Sequence, residues 1–274
     1  MPIKLIASDL DGTLLTDKKE ITTYTKEAIL HAMGKGCHFI PATGRAFTSI
    51  PEEVLQFPGI EYVITSNGAA VYSIASRERV YQCRMSPETI EALIKLERPK
   101  DAAMEIFIEG VPYAQQEYVN APERFGATQF GAAYVKKTRK SVLDICAFAW
   151  ENRERIDSIA FATGVRKEKE RIKDMLLEHI KDIYVTSSVP HMLEAGHINA
   201  GKGNTLSVIL KKLGVSKDEA MAFGDGDNDM EMLTLVKYGI AMENGTENCK
   251  RSAFYITGTN EQDGVGKAIR KFIP

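Results

Sequence analysis

The chain has 274 residues, 44% of them hydrophobic and 26% charged, with a formal net charge of −2. That length exceeds a typical single domain and carries enough apolar side chains for a sizeable core and a second module. The near-neutral balance leaves no broad electrostatic footprint for nucleic acid or an anionic membrane surface, and no apolar run approaches the roughly 18 residues of a membrane span.

The first predicted element is a strand. Ile3, Leu5, Ile6 and Ala7 make a short, β-branched, apolar run, as expected of a strand buried in a parallel sheet. It leads into Asp9-Leu10-Asp11-Gly12-Thr13-Leu14, so two carboxylates sit at the strand's carboxyl end, where open α/β sheets place their ligand sites. Asp-Gly-Thr is also ordinary turn chemistry, so this stretch gains weight only from what recurs downstream. The chain enters this strand within three residues, so no signal peptide and a cytoplasmic location are expected.

Ile21 to Met33 reads as an amphipathic helix, with Ile21, Tyr24, Ala28, Ile29, Ala32 and Met33 on one face and Gly34 and Gly36 closing it. A second strand at 38 to 42 ends in Thr43-Gly44-Arg45, which offers an anion a hydroxyl and a closely approachable backbone N–H. A third, 61 to 65, precedes Asn67-Gly68-Ala69.

Between Tyr81 and Pro190 the rhythm changes. The pattern predicts a helix at 87 to 96, strands at 104 to 108 and 111 to 114, a helix at 141 to 150, a strand at 156 to 162, a charged helix at 167 to 180 and a strand at 183 to 186. This α+β segment has no repeats or low-complexity linkers and reads as an insertion spanning 85 to 190, with 1 to 84 and 191 to 274 forming the core. Its bases Arg166, Lys167, Lys169, Arg171 and Lys173 alternate with acids, which marks a solvated helix face. Tyr113, Tyr118, Phe125, Phe130 and Tyr134 are expected in the core of the insertion, Trp150 is expected to pack at a helix end, and His191 and His197 read as partly exposed loop residues.

After the insertion, Lys202 in Gly201-Lys202-Gly203 precedes the helix pattern Leu206, Ile209, Leu210, Leu213 and can neutralise phosphate as a point charge. The strand-like Ala220 to Phe223 then leads into Gly224-Asp225-Gly226-Asp227-Asn228-Asp229, and a further strand is expected at 238 to 241. Three carboxylates and an amide within five positions make chemical sense where a hard cation gathers oxygen ligands. The four cysteines, Cys37, Cys83, Cys146 and Cys249, form no Cys-x-x-Cys pair, which argues against zinc or a disulfide framework.

Other readings of these motifs are weaker. Gly196 to Lys202 matches the first seven positions of a P-loop, but the eighth is Gly203 where such a loop needs Ser or Thr, and 190 to 194 reads as a poor central strand. Asp225, Asp227 and Asp229 fit the start of a calcium-binding EF-hand loop, but Met230 and Val236 stand where it needs Gly and Glu. A silent phosphate-binding protein is disfavoured because both Asp9 and Asp11 are present.

As an ordered set these motifs resemble the haloacid dehalogenase-like hydrolase superfamily, and their spacing is similar to its Cof-type sugar-phosphatase branch; the likeness spans essentially the whole chain. The resemblance implies an α/β fold with a doubly wound, Rossmann-like core of mainly parallel sheet, and an α+β cap whose open antiparallel sheet selects the substrate. It implies Mg2+-dependent hydrolysis of small phosphorylated metabolites through an aspartyl-phosphate on Asp9, with Asp11 handling the proton. Leu10, Thr43, Gly44, Arg45, Lys202 and Asn228 would bind phosphate or substrate. Asp9, Asp11 through its backbone carbonyl, and Asp225 would hold the metal, with Asp229 behind them. A mutase using the same intermediate is the runner-up. No nucleic-acid or membrane partner is expected, and the protein is expected to be a monomer or small homo-oligomer.

Overall fold

A computed structural model describes residues 2–274. The chain divides into two compact units: one runs to Gly44 and takes in Ile50–Tyr81 and Gly201–Pro274, the other comprises Arg45–Ser49 and Gln82–Ala200.

The first unit is built on a five-stranded parallel sheet, in the order Tyr255–Thr257, Tyr238–Met242, Ala220–Gly224, Leu5–Ser8 and His38–Pro41. Leu5–Ser8 lies between two neighbours with every residue buried, which is why its sequence is an uninterrupted small and apolar run. On one face Leu5, Ala7, Ile40 and Ala222 pack with Leu206, Ile209 and Leu210 of the helix Lys202–Leu213. The helix Thr23–Gly34 begins at Thr22, whose side chain accepts from the Thr25 N–H at 3.2 Å, and packs against the helix Gly264–Phe272. Because the strands are parallel, Asp9, Thr43 and Asp225 all emerge from carboxyl ends on the same edge of the sheet. Residues 61 to 65 depart from the expected parallel layer: Tyr62–Thr65 pairs antiparallel with Ala70–Ser73 and keeps one parallel bridge, Ala42 opposite Ile64.

The second unit carries a six-stranded sheet in the order Ile183–Thr186, Met192–His197, Ile156–Ala162, Ala103–Ile108, Val111–Gln115 and Lys140–Val142, antiparallel except for the last pair. One face buries Ile106, Ile159 and Phe161 against Leu93 of the helix Pro87–Lys95 and Ile172 and Leu176 of the helix Arg166–His179. On the other face Ala103, Phe107, Ala160 and Ala162 pack with Tyr118, Phe125 and Val135.

Three expectations are corrected here, and one helix is added to them. Residues 191 to 200, assigned to the core, group with the second unit, because Met192–His197 pairs on both sides within its sheet and buries Met192, Leu193 and Ala195; Glu194 and Gly196 had disguised the strand. The helix expected over 141 to 150 is a strand, Lys140–Val142, then a helix, Ile145–Glu151. Asp144 divides them by accepting the Cys146 and Ala147 N–H groups at 3.0 and 2.9 Å. A helix at Gln129–Thr138 had no clear sequence signal. Phe130 on it is 81% exposed and therefore not core, whereas Tyr118 and Phe125 are buried.

Candidate active site

Asp9 follows the strand Leu5–Ser8 and is almost fully buried, its N–H donating to the Phe223 carbonyl at 3.0 Å. Its Oδ1 accepts from Lys202 Nζ at 2.5 Å, and the same ammonium donates to Asp229 Oδ1 at 2.6 Å. Lys202 is the first residue of its helix and completely buried, so its charge is matched by carboxylates and not by water. Asp229 Oδ2 accepts the N–H groups of Asp225 and Gly226 at 3.0 and 2.9 Å. A single carboxylate thus folds the turn that presents Asp225.

Asp225 receives the Thr13 hydroxyl on Oδ1 at 2.7 Å. Gly12 makes room for it: its φ is +80°, and a Cβ there would lie 2.5 Å from Asp225 Oδ2. Gly224 is equally constrained, because a Cβ would lie 2.3 Å from that of Asp229. Asp9, Asp225 and Asp229 each offer an oxygen within 4.8 Å of the others. Three acids therefore face one base.

The electrostatics record that imbalance. Burial pushes the Asp9 carboxyl upward, Asp229 and Asp225 add to the rise, and Lys202 opposes it. Asp225 is pushed up to about 7, first by burial and then by Asp229. Burial works against the Lys202 ammonium, but Asp229 and Asp9 outweigh it and hold the charge well above the ordinary lysine range. A divalent cation would relieve this excess of negative charge, and the all-oxygen donor set fits a hard one.

Asn67 ties the remaining pieces together. Its N–H donates to the Thr43 carbonyl at 3.1 Å, its carbonyl accepts the Gly201 N–H at 2.9 Å, and its Oδ1 accepts the Asn228 amide at 2.9 Å. Its φ of 51° is left-handed, which asparagine tolerates better than most residues. One side chain and its backbone thus register the loops of Thr43, Lys202 and Asn228.

Of the residues singled out from sequence, Asp9, Lys202, Asp225 and Asp229 form the buried cluster, while Thr43 and Asn228 are joined to it through Asn67. Leu10 is fully buried and Gly44 partly so, each at a strand's carboxyl end. The Asp11 side chain is more open and takes Lys19 Nζ at 2.8 Å. Asp227 turns aside to Thr246 and Asn248, so the EF-hand reading fails on geometry as well. The P-loop reading fails likewise, because the strand before it, Met192–His197, pairs antiparallel on both sides and does not stand in a parallel sheet. Arg45 groups with the second unit. Sequence reasoning passed over Thr13 as a partner of Asp225, although it lies within the first motif, and over Asn67 as an organiser, although Asn-Gly signals a left-handed turn. Nothing local in the sequence marked Lys19.

Residues 6–269 match the family model described as haloacid dehalogenase-like hydrolase. A Streptococcus pyogenes relative is 31% identical over 100% of this chain and 99% of its own. The 5-amino-6-(5-phospho-D-ribitylamino)uracil phosphatase of Bacillus subtilis is 28% identical over 99% of this chain and 96% of its own. The solved structure of a haloacid dehalogenase-like hydrolase from Bacteroides thetaiotaomicron matches with TM-score 0.79 and 27% identity, covering 99% of this chain and 100% of that one. With the buried acidic cluster at the carboxyl edge of a parallel sheet, these likenesses make the chain a member of the haloacid dehalogenase-like hydrolase family, as one of its phosphatases.

Proposed function

We propose that the enzyme hydrolyses small phosphorylated metabolites, sugar phosphates foremost, with Mg2+ and a covalent phosphate on Asp9. The observation that carries this reading is the buried Asp9, locked to Lys202 at 2.5 Å and sharing its surroundings with Asp225 and Asp229. Asp9, the Asp11 carbonyl and Asp225 would hold the magnesium, with Asp229 supporting Asp225. When bound, the ion neutralises phosphate charge and fixes the in-line approach.

Lys202 engages Oδ1 of Asp9, opposes the rise that burial imposes on that carboxyl and orients it, which leaves Oδ2 to attack phosphorus. The Asp9 Oδ2–P bond forms as the ester P–O bond breaks. Asp11, whose side chain lies outside the buried cluster, donates a proton to the departing alcohol and then takes one from the water that releases phosphate. The Thr43 hydroxyl, the N–H groups of Leu10 and Gly44, Lys202 and the Asn228 amide receive the phosphate oxygens as charge moves. Arg45, last of the Thr43-Gly44-Arg45 motif, would bind substrate. Support for a polyol phosphate comes from the Bacillus subtilis relative, whose named substrate carries a phosphoribityl group.

Phosphate release from a generic aryl phosphate and a sugar-phosphate panel, with magnesium, with chelator and with Asp9→Asn, tests the reading. Magnesium-dependent turnover lost in the variant is expected; turnover persisting in Asp9→Asn would sink the covalent mechanism.

A further inference from the structure

We infer that Asn244 is a positioning residue for the magnesium site, setting the spacing between the backbone that carries Asp11 and the turn that presents Asp225. The inference deepens the phosphatase reading and rests on it. Every residue it uses belongs to the first unit. The strand Tyr238–Met242 runs parallel to Ala220–Gly224, with Ala241 opposite Gly224, so the loop that follows it, 243 to 246, emerges beside the Asp225 turn. That loop bonds to both halves of the donor set. On one side the Thr246 N–H donates to the Asp225 carbonyl at 2.8 Å. Gly245 permits this approach, because a Cβ there would lie 2.9 Å from the same oxygen. On the other side Asn244 Nδ2 donates to the Gly12 carbonyl at 2.8 Å. Gly12 follows Asp11, whose own carbonyl is assigned to the ion above, and precedes Thr13, whose hydroxyl donates to Asp225.

The turn after Asp9 is closed on itself. The Leu14 N–H donates to the Asp9 carbonyl at 3.2 Å, and the Leu15 N–H to the Leu10 carbonyl at 2.8 Å. Those bonds shape the turn, but its placement against Asp225 needs contacts from outside it. Asn244 supplies one at the Gly12 peptide and is itself fixed, since its Oδ1 accepts the Asn260 N–H at 3.1 Å. Asn260 is buried, and its amide donates to the Leu15 carbonyl at 3.1 Å and to Asp17 Oδ1 at 3.2 Å. The Asp17 N–H donates in turn to Glu261 Oε1 at 2.6 Å. Two asparagines from distant parts of the chain thus hold the turn at its apex and at its return. Asn244 is exposed, so water competes for its bonds and their value lies in geometry more than in stability. Magnesium demands near-ideal octahedral geometry, whereas calcium accepts more oxygens at longer and more variable distances. A fixed spacing between the two halves of the site therefore serves magnesium more than calcium.

The test frees the full chain of metal with chelator, removes the chelator, and follows melting temperature against added magnesium chloride or calcium chloride. Phosphate release from p-nitrophenyl phosphate against magnesium runs in parallel. The variants are Asn244→Ala, Asn260→Ala and Thr257→Val. Asn244→Ala should move the magnesium melting curve and the half-activating magnesium concentration about fivefold higher, the scale on which one lost hydrogen bond is felt. Its kcat at saturating magnesium should stay within about twofold, and its calcium melting curve should move less than about twofold. Asn260→Ala should repeat the selective magnesium shift. Thr257→Val removes a hydroxyl bond to the Gly264 carbonyl at 2.7 Å, in the same C-terminal segment but outside the bonds described here. It should lower the melting temperature without moving the magnesium curve. An unmoved magnesium curve in Asn244→Ala, an equal shift with calcium, or the same shift in Thr257→Val overturns the positioning role and leaves the phosphatase reading intact. Unsubstituted protein that magnesium neither stabilises nor activates would count against the magnesium assignment itself and remove this inference with it.

Discussion

Each unit buries charged side chains, and the two do so differently. In the second unit Glu105 meets Arg139 one to one, through two parallel bonds. In the first, Asp9, Asp225 and Asp229 share a single ammonium, Lys202. A balanced buried pair satisfies itself and acts as architecture, whereas an unbalanced cluster carries an electrostatic cost that a stable fold has no reason to keep unless a cation and chemistry use it. The charge count, more than burial, separates the reactive cluster from the structural pair.

The largest expected effect comes from Asp9→Asn. It should abolish phosphate release by a factor of roughly 10⁴ or more, the scale on which removal of a covalent nucleophile is felt. Because it also relieves the crowding of acids, its urea midpoint without metal should be no lower than that of the unsubstituted protein. A clear fall would mean the cluster is structural, and the contrast with Glu105 would collapse.

Next in size, Glu105→Ala should cost about 3–5 kcal/mol in urea unfolding, the penalty for stranding one partner of a buried pair. Replacing both Glu105 and Arg139 with apolar residues should recover most of that loss. Lys202→Met should lower both activity and metal-free stability while leaving a folded protein, and magnesium should restore part of the stability, because the cation takes over charge that the ammonium had balanced. No stabilisation by magnesium in either Lys202→Met or the unsubstituted protein would undermine the metal assignment.

The remaining effects are pH slopes of opposite sign. Asp225 has a folded value of about 7, above its unfolded range near 3.9, so the folded state holds its proton more tightly. In metal-free protein its contribution to stability should fall as pH rises between those values, and Asp225→Asn should flatten that slope. His191 is shifted the other way, lowered from 6.5 chiefly by burial. The folded state prefers it neutral, so stability should be lost as pH falls below about 6.5, and His191→Phe should remove that loss. Thermal melting across pH with chelator present reads both slopes; matching signs would contradict the two environments described here.

Much of this was legible from residue order. The strand 38 to 42 and the strands at 220 and 238 stood out because a parallel strand buried on both faces must be apolar throughout, and the Asp, Thr-Gly, Lys and Asp-rich motifs stood out because each follows or precedes such a run. The helix Gln129–Thr138 and the strand Met192–His197 did not, since Lys136, Lys137, Glu194 and Gly196 break the periodicity that reading relies on. Their form is decided by partners far away in the chain: Val135 by Phe107 and Tyr118, and Met192–His197 by the strands on either side.

The sequence by itself determined the family, the parallel sheet and the residue types at its carboxyl edge, because those are written in local patterns of apolar runs ending in polar motifs. Only the tertiary structure decided that Lys202 neutralises Asp9 and Asp229, that Asn67 registers three loops, and that Asn244 reaches the Gly12 carbonyl. Those facts depend on which distant side chains share a buried volume, and residues 193 positions apart in the chain, as Asp9 and Lys202 are, carry no local mark of their meeting.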